Sequence, residues 1–446
     1  MNNNASKTLR NMIIYSVYVR NHKGGTFAGV KEDLGRIKEL GTDMIWFLPI
    51  HPIGEKNKKG LGCPYSIKDY TKVNEDYGTL EDFKELVAAI HDTGMKVMID
   101  VVYNHTSHDA VYVEEHPEFY YKKNGKFGNK VADWSDIIDL DYNNLELWEK
   151  QIDALCYWTK LGVDGFRCDV APIVPMEFWR KAKEAVKAIN PYTIFLAETV
   201  HPHFIEAVRN QGHYMASDSE VYEVFEICYD YDSHGELLQY FSGRATLEQV
   251  LDKKRIQEYI YPDNYVKLRF LENHDNPRSA ALIPNSELHR MWTAFLYFEK
   301  GATLLHGGQE AKDSNLPSLF AVDPVNFEGL TEEFTQYLIR LGEIKKEEIF
   351  AIGRYKIHKM PAYDVIYASY LQGNELVIGI FNMGLKVGEI DLSIHDGSYT
   401  SNGSHASYMS IEDGEYKNLI DDTKVKISKN KIELSQKPMI LRVKLS

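Results

Sequence analysis

Cysteine is scarce. Four residues in 446, Cys63, Cys156, Cys168 and Cys228, lie far apart with no Cys-x-x-Cys pair. That excludes a disulfide framework and a thiolate zinc site, and it fits reduced thiols in a cytoplasmic protein. No stretch approaches the roughly 20 apolar residues of a membrane span. The run Met12 to Val19 is short and interrupted by Tyr15 and Ser16, and the polar start Met1 to Lys7 is not a usual signal segment, so the expectation is cytoplasmic, with no membrane partner. Positive charge is not in excess: 51 Lys and Arg against 65 Asp and Glu leave −14, a field that repels nucleic acid. With 30 Gly and 15 Pro the chain is neither fibrous nor low in complexity. No glycine-rich phosphate turn follows a β-forming run, which argues against an open, doubly wound nucleotide-binding sheet.

What is present is a repeated local grammar: an amphipathic helical stretch, a glycine at its end, then a short β-forming run. It reads as Val30 to Leu40, Gly41 and Asp43 to Leu48. It recurs as Leu80, Phe83, Val87 and Ile90 on one face, Gly94 and Lys96 to Val102, and again as Ile152, Leu155 and Thr159, Gly162 and Val163 to Asp169. Thr79 and Asp82 match a capping box ahead of the second helix. Further strands read at Met12 to Val19, Thr193 to Ala197, Val221 to Ile227, Val266 to Leu271 and Ala302 to Leu305. Eight apolar strands alternating with helices predict an α/β fold, a closed (β/α)₈ TIM barrel of parallel strands.

Two segments break the rhythm. Residues 106–144, rich in Tyr, Asp, His and Gly, are too long for an ordinary loop after strand three and read as an inserted subdomain. From about Arg354 the pattern alternates, as in Asp364 to Tyr370 and Met439 to Leu445, with turns at Gly373-Asn374 and Asp396-Gly397. This predicts a C-terminal antiparallel β-sandwich domain. The expected division is 1–105 with 145–350 for the barrel, 106–144 for the insertion and 351–446 for the β domain.

A barrel of this kind builds its active site at the carboxyl ends of its strands. The polar residues there are Asp100, Asn104 and His105; Arg167 and Asp169; Glu198; and Asn273, His274 and Asp275. Strand alternation points Arg167 and Asp169 into the barrel mouth together, and Phe166 and Cys168 toward the helices. Glu198 ends an apolar strand; a carboxyl in low dielectric without a cationic partner stays protonated near neutrality. One ionised and one protonated carboxyl are the apparatus of glycoside cleavage.

The strings Asp100-Val101-Val102-Tyr103-Asn104-His105, Gly165-Phe166-Arg167-Cys168-Asp169, Glu198 after Phe195-Leu196-Ala197, and Phe270-Leu271-Glu272-Asn273-His274-Asp275 resemble the four ordered motifs of the α-amylase family. These are retaining hydrolases and transglycosylases acting on α-glucosidic bonds. The resemblance implies Asp169 as nucleophile, Glu198 as general acid/base and Asp275 as the transition-state carboxylate. It also implies that His105, Arg167 and His274 hold the reacting sugar, that Tyr65 stacks under it and that Asp100 supports the site. The nucleophile and acid/base of such an enzyme stand about 5 to 5.5 Å apart.

The chain departs from many endo-acting members just after the nucleophile. Their Ala-Ala-Lys-His, which serves a leaving-side subsite and calcium, is replaced by Val170-Ala171-Pro172-Ile173. No cofactor or metal is expected to be required. Asn104 resembles a calcium ligand and Asp133, Asp136 or Asp139 offer hard oxygens, but these read as turn and cap residues. His201-Pro202-His203 reads as a loop. The expected partner is an α-glucan oligosaccharide, soluble and short rather than granular. Transfer or isomerisation of small α-glucosides by the same carboxylates, and a catalytically silent sugar-binding barrel, are the alternatives.

Overall fold

The computed structural model describes residues 7–131, 134–360, 364–395 and 408–445. Eight parallel strands close a barrel: β1 (Ile13–Val17), β2 (Met44–Phe47), β3 (Lys96–Val101), β4 (Gly165–Cys168), β5 (Ile194–Ala197), β6 (Ile227–Tyr229), β7 (Lys267–Arg269) and β8 (Ala302–His306). They pair in chain order, and β1 closes the ring by pairing with both β2 and β8, Ile14 standing opposite Met44 and Leu304. Every residue of these strands except Lys96 is buried, because the barrel interior covers one face and the helices the other. Helix Leu80–Asp92 begins at the expected capping box. Asp82 N–H donates to Thr79 Oγ1 at 3.2 Å, and Thr79 N–H donates to Asp82 Oδ2 at 2.8 Å.

Strand six differs from the expectation. Val221, Val224 and Phe225 are buried at helical spacing, Val221 ending a short helix that opens with a Ser217/Glu220 capping box. The strand begins only at Ile227 and ends at Tyr229. The apolar residues were visible; their period of three and four, rather than two, is the better guide. The pair His201-His203 also differs: Pro202 takes the first position of helix Pro202–Asn210, where a missing N–H costs nothing, so His203 is helical.

Inside 106–144, the strand His105–Ser107 pairs antiparallel with Ile137–Asp139, and a small hairpin joins Lys122–Lys123 to Lys126–Phe127. Beyond helix Glu348–Ile352 the chain forms two four-stranded antiparallel sheets. One runs in the order Arg354–His358, Val365–Gln372, Glu375–Asn382, Met439–Val443; the other, Glu389–Asp391, Lys431–Glu433, Lys424–Ser428, Gly414–Lys417. The Gly373-Asn374 turn joins Val365–Gln372 to Glu375–Asn382, with Gly373 at φ 58°, where a side chain would be strained. The Asp396-Gly397 turn lies outside the described residues. The first sheet is buried on both faces. Val365, Tyr367, Leu376, Ile378 and Leu441 join Ile390, Ile427 and Ile432 in a core between the sheets. Ile366, Ala368, Tyr370, Val377 and Phe381 belong to the barrel's core.

Candidate active site

Arg167, near the end of β4, is wholly buried and organises the barrel mouth. Its Nη1 donates to Asp100 Oδ1 at 3.0 Å and to Asp169 Oδ1 at 2.8 Å. Its Nη2 lies 2.9 Å from Glu198 Oε2, an ion pair not aligned as a hydrogen bond. Its Nε donates to the Tyr229 hydroxyl at 3.2 Å. The guanidinium also lies over the rings of Trp46, Tyr65 and Tyr229, 5.3 to 5.7 Å from their centroids. One planar fork thus gathers carboxylates from three successive strand ends.

Glu198 was expected to lack a cationic partner; Arg167 supplies one. Burial still dominates and raises its pKa, with Arg167 and the Val170 N–H opposing. That N–H donates to Glu198 Oε2 at 2.8 Å. Val170 holds a left-handed backbone, φ 39°, an unusual state for a β-branched residue. Because the chain turns there, Asp169 and Val170 both line the cleft instead of alternating across a strand. Asp100 is pushed up to about 7, by burial first, with Arg167 and the Tyr65 hydroxyl pulling down.

The Tyr65 hydroxyl donates to Asp100 Oδ2 at 3.0 Å and lies 2.7 Å from His274 Nε2. A hydroxyl has one hydrogen, so His274 Nε2–H is the donor to Tyr65. The two rings stack with centroids 5.4 Å apart and 11° between planes. Burial lowers the His274 pKa, with Asp275 opposing. Asp275, half-exposed, sits 3.2 Å from His274 Nε2, and its backbone N–H donates to Asn273 Oδ1 at 2.9 Å. Asn104 Nδ2 donates to His105 Nδ1 at 3.2 Å, leaving the far nitrogen of His105 for the cleft.

Tyr65, His105, Asp169, Glu198, His274 and Asp275 line a single cleft of about 330 Å³, with Arg167 and Asp100 behind them. All eight residues read from the sequence therefore converge. The reading missed Trp46 and Tyr229, which pack on Arg167, and Lys59, Cys63, Trp134, Asp136 and Phe320, which complete the cleft. Tyr229 ends the strand whose register was set too early. Trp134 and Phe320 sit on irregular loops that no periodicity marks.

The calcium candidates do not gather into one cage. Asn104 Nδ2 reaches Asp139 Oδ1 at 3.4 Å, and the buried Asn104 Oδ1 has no partner. Asp139 Oδ2 accepts from the Lys130 N–H, while the Lys130 ammonium donates to Leu140 O. Asp136 turns into the cleft, 3.4 Å from Lys59, and Asp133 lies outside the described residues. Of these candidates, only Asn104 and Asp139 stand together. All four cysteines are free. Among the described residues no helix is long and apolar enough to cross a membrane.

Residues 2–136 and 130–348 match the family described as "Alpha amylase, catalytic domain", and 356–409 and 401–441 match "Bacterial Alpha amylase C-terminal domain". The chain belongs to the α-amylase family. The crystal structure of an α-amylase from Lactobacillus plantarum is 40% identical, covers 98% of this chain and 100% of its own, and superposes with a TM-score of 0.90. A noncanonic maltogenic α-amylase, AmyB of Thermotoga neapolitana, is 32% identical over 98% of this chain and 100% of its own, with a TM-score of 0.85. The α-amylase MalA of Haloarcula japonica is 27% identical over 67% of this chain; the match spans 44% of that relative's length.

Proposed function

We propose that this family member hydrolyses α-glucosidic bonds of short, soluble α-1,4-linked oligosaccharides by double displacement with retained configuration. The observation that carries this reading is the sharing of Arg167 by Asp169 and Glu198 at adjacent strand ends, facing one sugar-sized cleft. Asp169 attacks the anomeric carbon while Glu198, whose proton burial holds more tightly, donates it to the leaving oxygen. The carboxylate of Glu198 then takes a proton from water as the water oxygen bonds to the anomeric carbon and the bond from that carbon to Asp169 breaks, which releases the sugar. Asp275 stabilises the positive charge that builds on the ring, and Arg167, Tyr65, His105 and His274 hold that ring. Carboxylates on one guanidinium suit the short spacing of a retaining pair better than the 6.5 to 9.5 Å of an inverting one.

These steps run on side chains of the chain itself. The barrel residues 1–105 and 145–350 carry them, the insertion 106–144 supplies one wall, and 351–446 supports the barrel. Four unpaired thiols and the acidic charge fit a cytoplasmic setting.

The test is a product assay in a chelating buffer on maltooligosaccharides, insoluble starch and an activated aryl α-glucoside. Short oligomers should be cleaved fastest, with retention. Asp169→Asn should lower kcat by at least about a thousandfold with the fold intact. Glu198→Gln should lose the oligosaccharide reaction but keep the first step on the aryl glucoside, whose leaving group needs no proton. Near-normal turnover in Asp169→Asn overturns the reading. Dependence of the products on an added acceptor sugar favours transfer, and inertness on every substrate favours a silent barrel.

A further inference from the structure

Away from the cleft, the inserted segment and the helix that follows it bring three ligating side chains together. His116 Nδ1 lies 3.1 Å from Glu118 Oε1 and 3.9 Å from Glu146 Oε1. One ligand atom from each of the three falls within 4.8 Å of the others. A tetrahedral ion with bonds of 2.0 to 2.2 Å needs its ligand atoms roughly 3.3 to 3.6 Å apart, so small rotations of two exposed glutamates would complete the site.

The groups come from two separate and locally ordered pieces of chain. The His116 ring stacks face to face on Phe119, centroids 4.4 Å apart and planes 3° apart, with the Tyr112 ring edge-on at 6.2 Å. Its backbone is pinned on both sides: His116 N–H donates to Tyr112 O, and Phe119 N–H to His116 O. Glu146 sits in the first turn of helix Leu145–Lys160, where its own N–H donates to the capping Asn144 Oδ1 at 2.9 Å. An imidazole held rigidly by aromatic packing and aimed between two carboxylates offers a pre-oriented nitrogen and two anionic oxygens, with open positions for water.

We propose that His116, Glu118 and Glu146 bind one divalent cation of the zinc class, which ties the inserted segment to the first turn of helix Leu145–Lys160. A nitrogen donor and only three protein ligands suit zinc and its neighbours rather than calcium, which takes more ligands, all of them oxygen. The ion closes the chain between residues 116 and 146, the span that carries Trp134, Asp136 and Ile137 of the cleft wall. The ion is structural; the cleft's chemistry does not pass through it.

The experiment is titration of the untagged, chelator-stripped full-length protein with zinc, followed by calorimetry and thermal unfolding, with His116→Ala and Glu146→Gln alongside. One zinc per chain is expected, with an upward shift of Tm by a few degrees, and each substitution should weaken binding at least about tenfold. Cobalt in place of zinc should give visible absorption bands that both variants lose. Glu146→Gln changes only an exposed side chain, so it remains informative if His116→Ala folds poorly. Absence of saturable zinc binding to the wild-type chain overturns the proposal, as does binding of equal strength in Glu146→Gln.

Discussion

Asp100 shows how a single buried group sets a property of the whole site. Its carboxyl is enclosed by β3 and β4 and lifted to about 7 by burial, although Arg167 and Tyr65 both hydrogen-bond to it. In the unfolded chain an aspartate titrates near 3.9. A folded value above the unfolded one means that the native state holds the proton more tightly. The stabilisation is therefore complete below about pH 4 and lost as pH rises through 7. Asp100→Asn keeps the shape and cannot ionise. Urea unfolding between pH 4 and 7 should accordingly show a stability slope less negative by about 1.4 kcal/mol per pH unit than in the wild type. Superimposable slopes would refute the argument. At this scale the sequence was informative: Asp100, Arg167, Asp169 and Glu198 were found as polar ends of apolar strands. The cation beside Glu198 was not, because contacts between neighbouring strand ends depend on barrel stagger, which no local pattern encodes.

Among the elements, the loops after β2 and β8 form a wall of the cleft, and they are tied to one another. Leu61 N–H donates to Phe320 O at 2.7 Å, and the buried Arg20 donates to Gly62 O and Leu319 O. Gly60 makes this approach possible. Its φ is 55°, and a Cβ there would stand 2.3 Å from the Phe320 carbonyl oxygen. Gly60→Ala must push the two loops apart, moving Leu319, Phe320 and Lys59 outward without touching the carboxylates. The expected result is a rise in KM for short oligosaccharides of roughly fivefold, about 1 kcal/mol of binding, with kcat changed little. Steady-state kinetics on a single oligomer length would decide it, and an unchanged KM would separate this wall from substrate binding. Such a contact was beyond reach of the sequence, where Gly60 is one glycine in a lysine-rich loop. The strands were legible because burial on both faces leaves continuous apolar runs. Strand six was set too early, and strand seven carries buried charge: Lys267 and Arg269 lie within it, paired with Asp218, Asp232 and Asp230 from neighbouring segments. Charges neutralised across elements look like surface charges when only one element is read.

On the scale of the molecule, barrel and β-sandwich share one apolar seam. Phe298 meets Tyr370 and Phe381 with ring centroids 5.3 and 5.5 Å apart, and Phe350 meets Tyr370 at 4.8 Å. The Tyr370 hydroxyl closes the contact by donating to Phe298 O at 3.0 Å, and Arg255 donates to the carbonyls of Ile357 and His358. Period-two alternation in the C-terminal strands correctly signalled a face turned inward. It could not say that the opposite face, with Ile366, Ala368 and Tyr370, is buried against another domain, since an apolar residue facing a partner looks the same as one facing its own core. A seam of this kind is the interior of one cooperative unit, not a surface between two independent ones. A chain ending at residue 350 would present Phe295, Phe298 and Phe350 to water as a contiguous patch, and such patches drive association. The truncated chain should therefore be recovered mainly as aggregate, whereas the full chain should unfold in a single calorimetric transition. A soluble, active barrel from the truncation, or two separated transitions in the full chain, would mean that the seam contributes little and that the carboxylate site stands on the barrel alone.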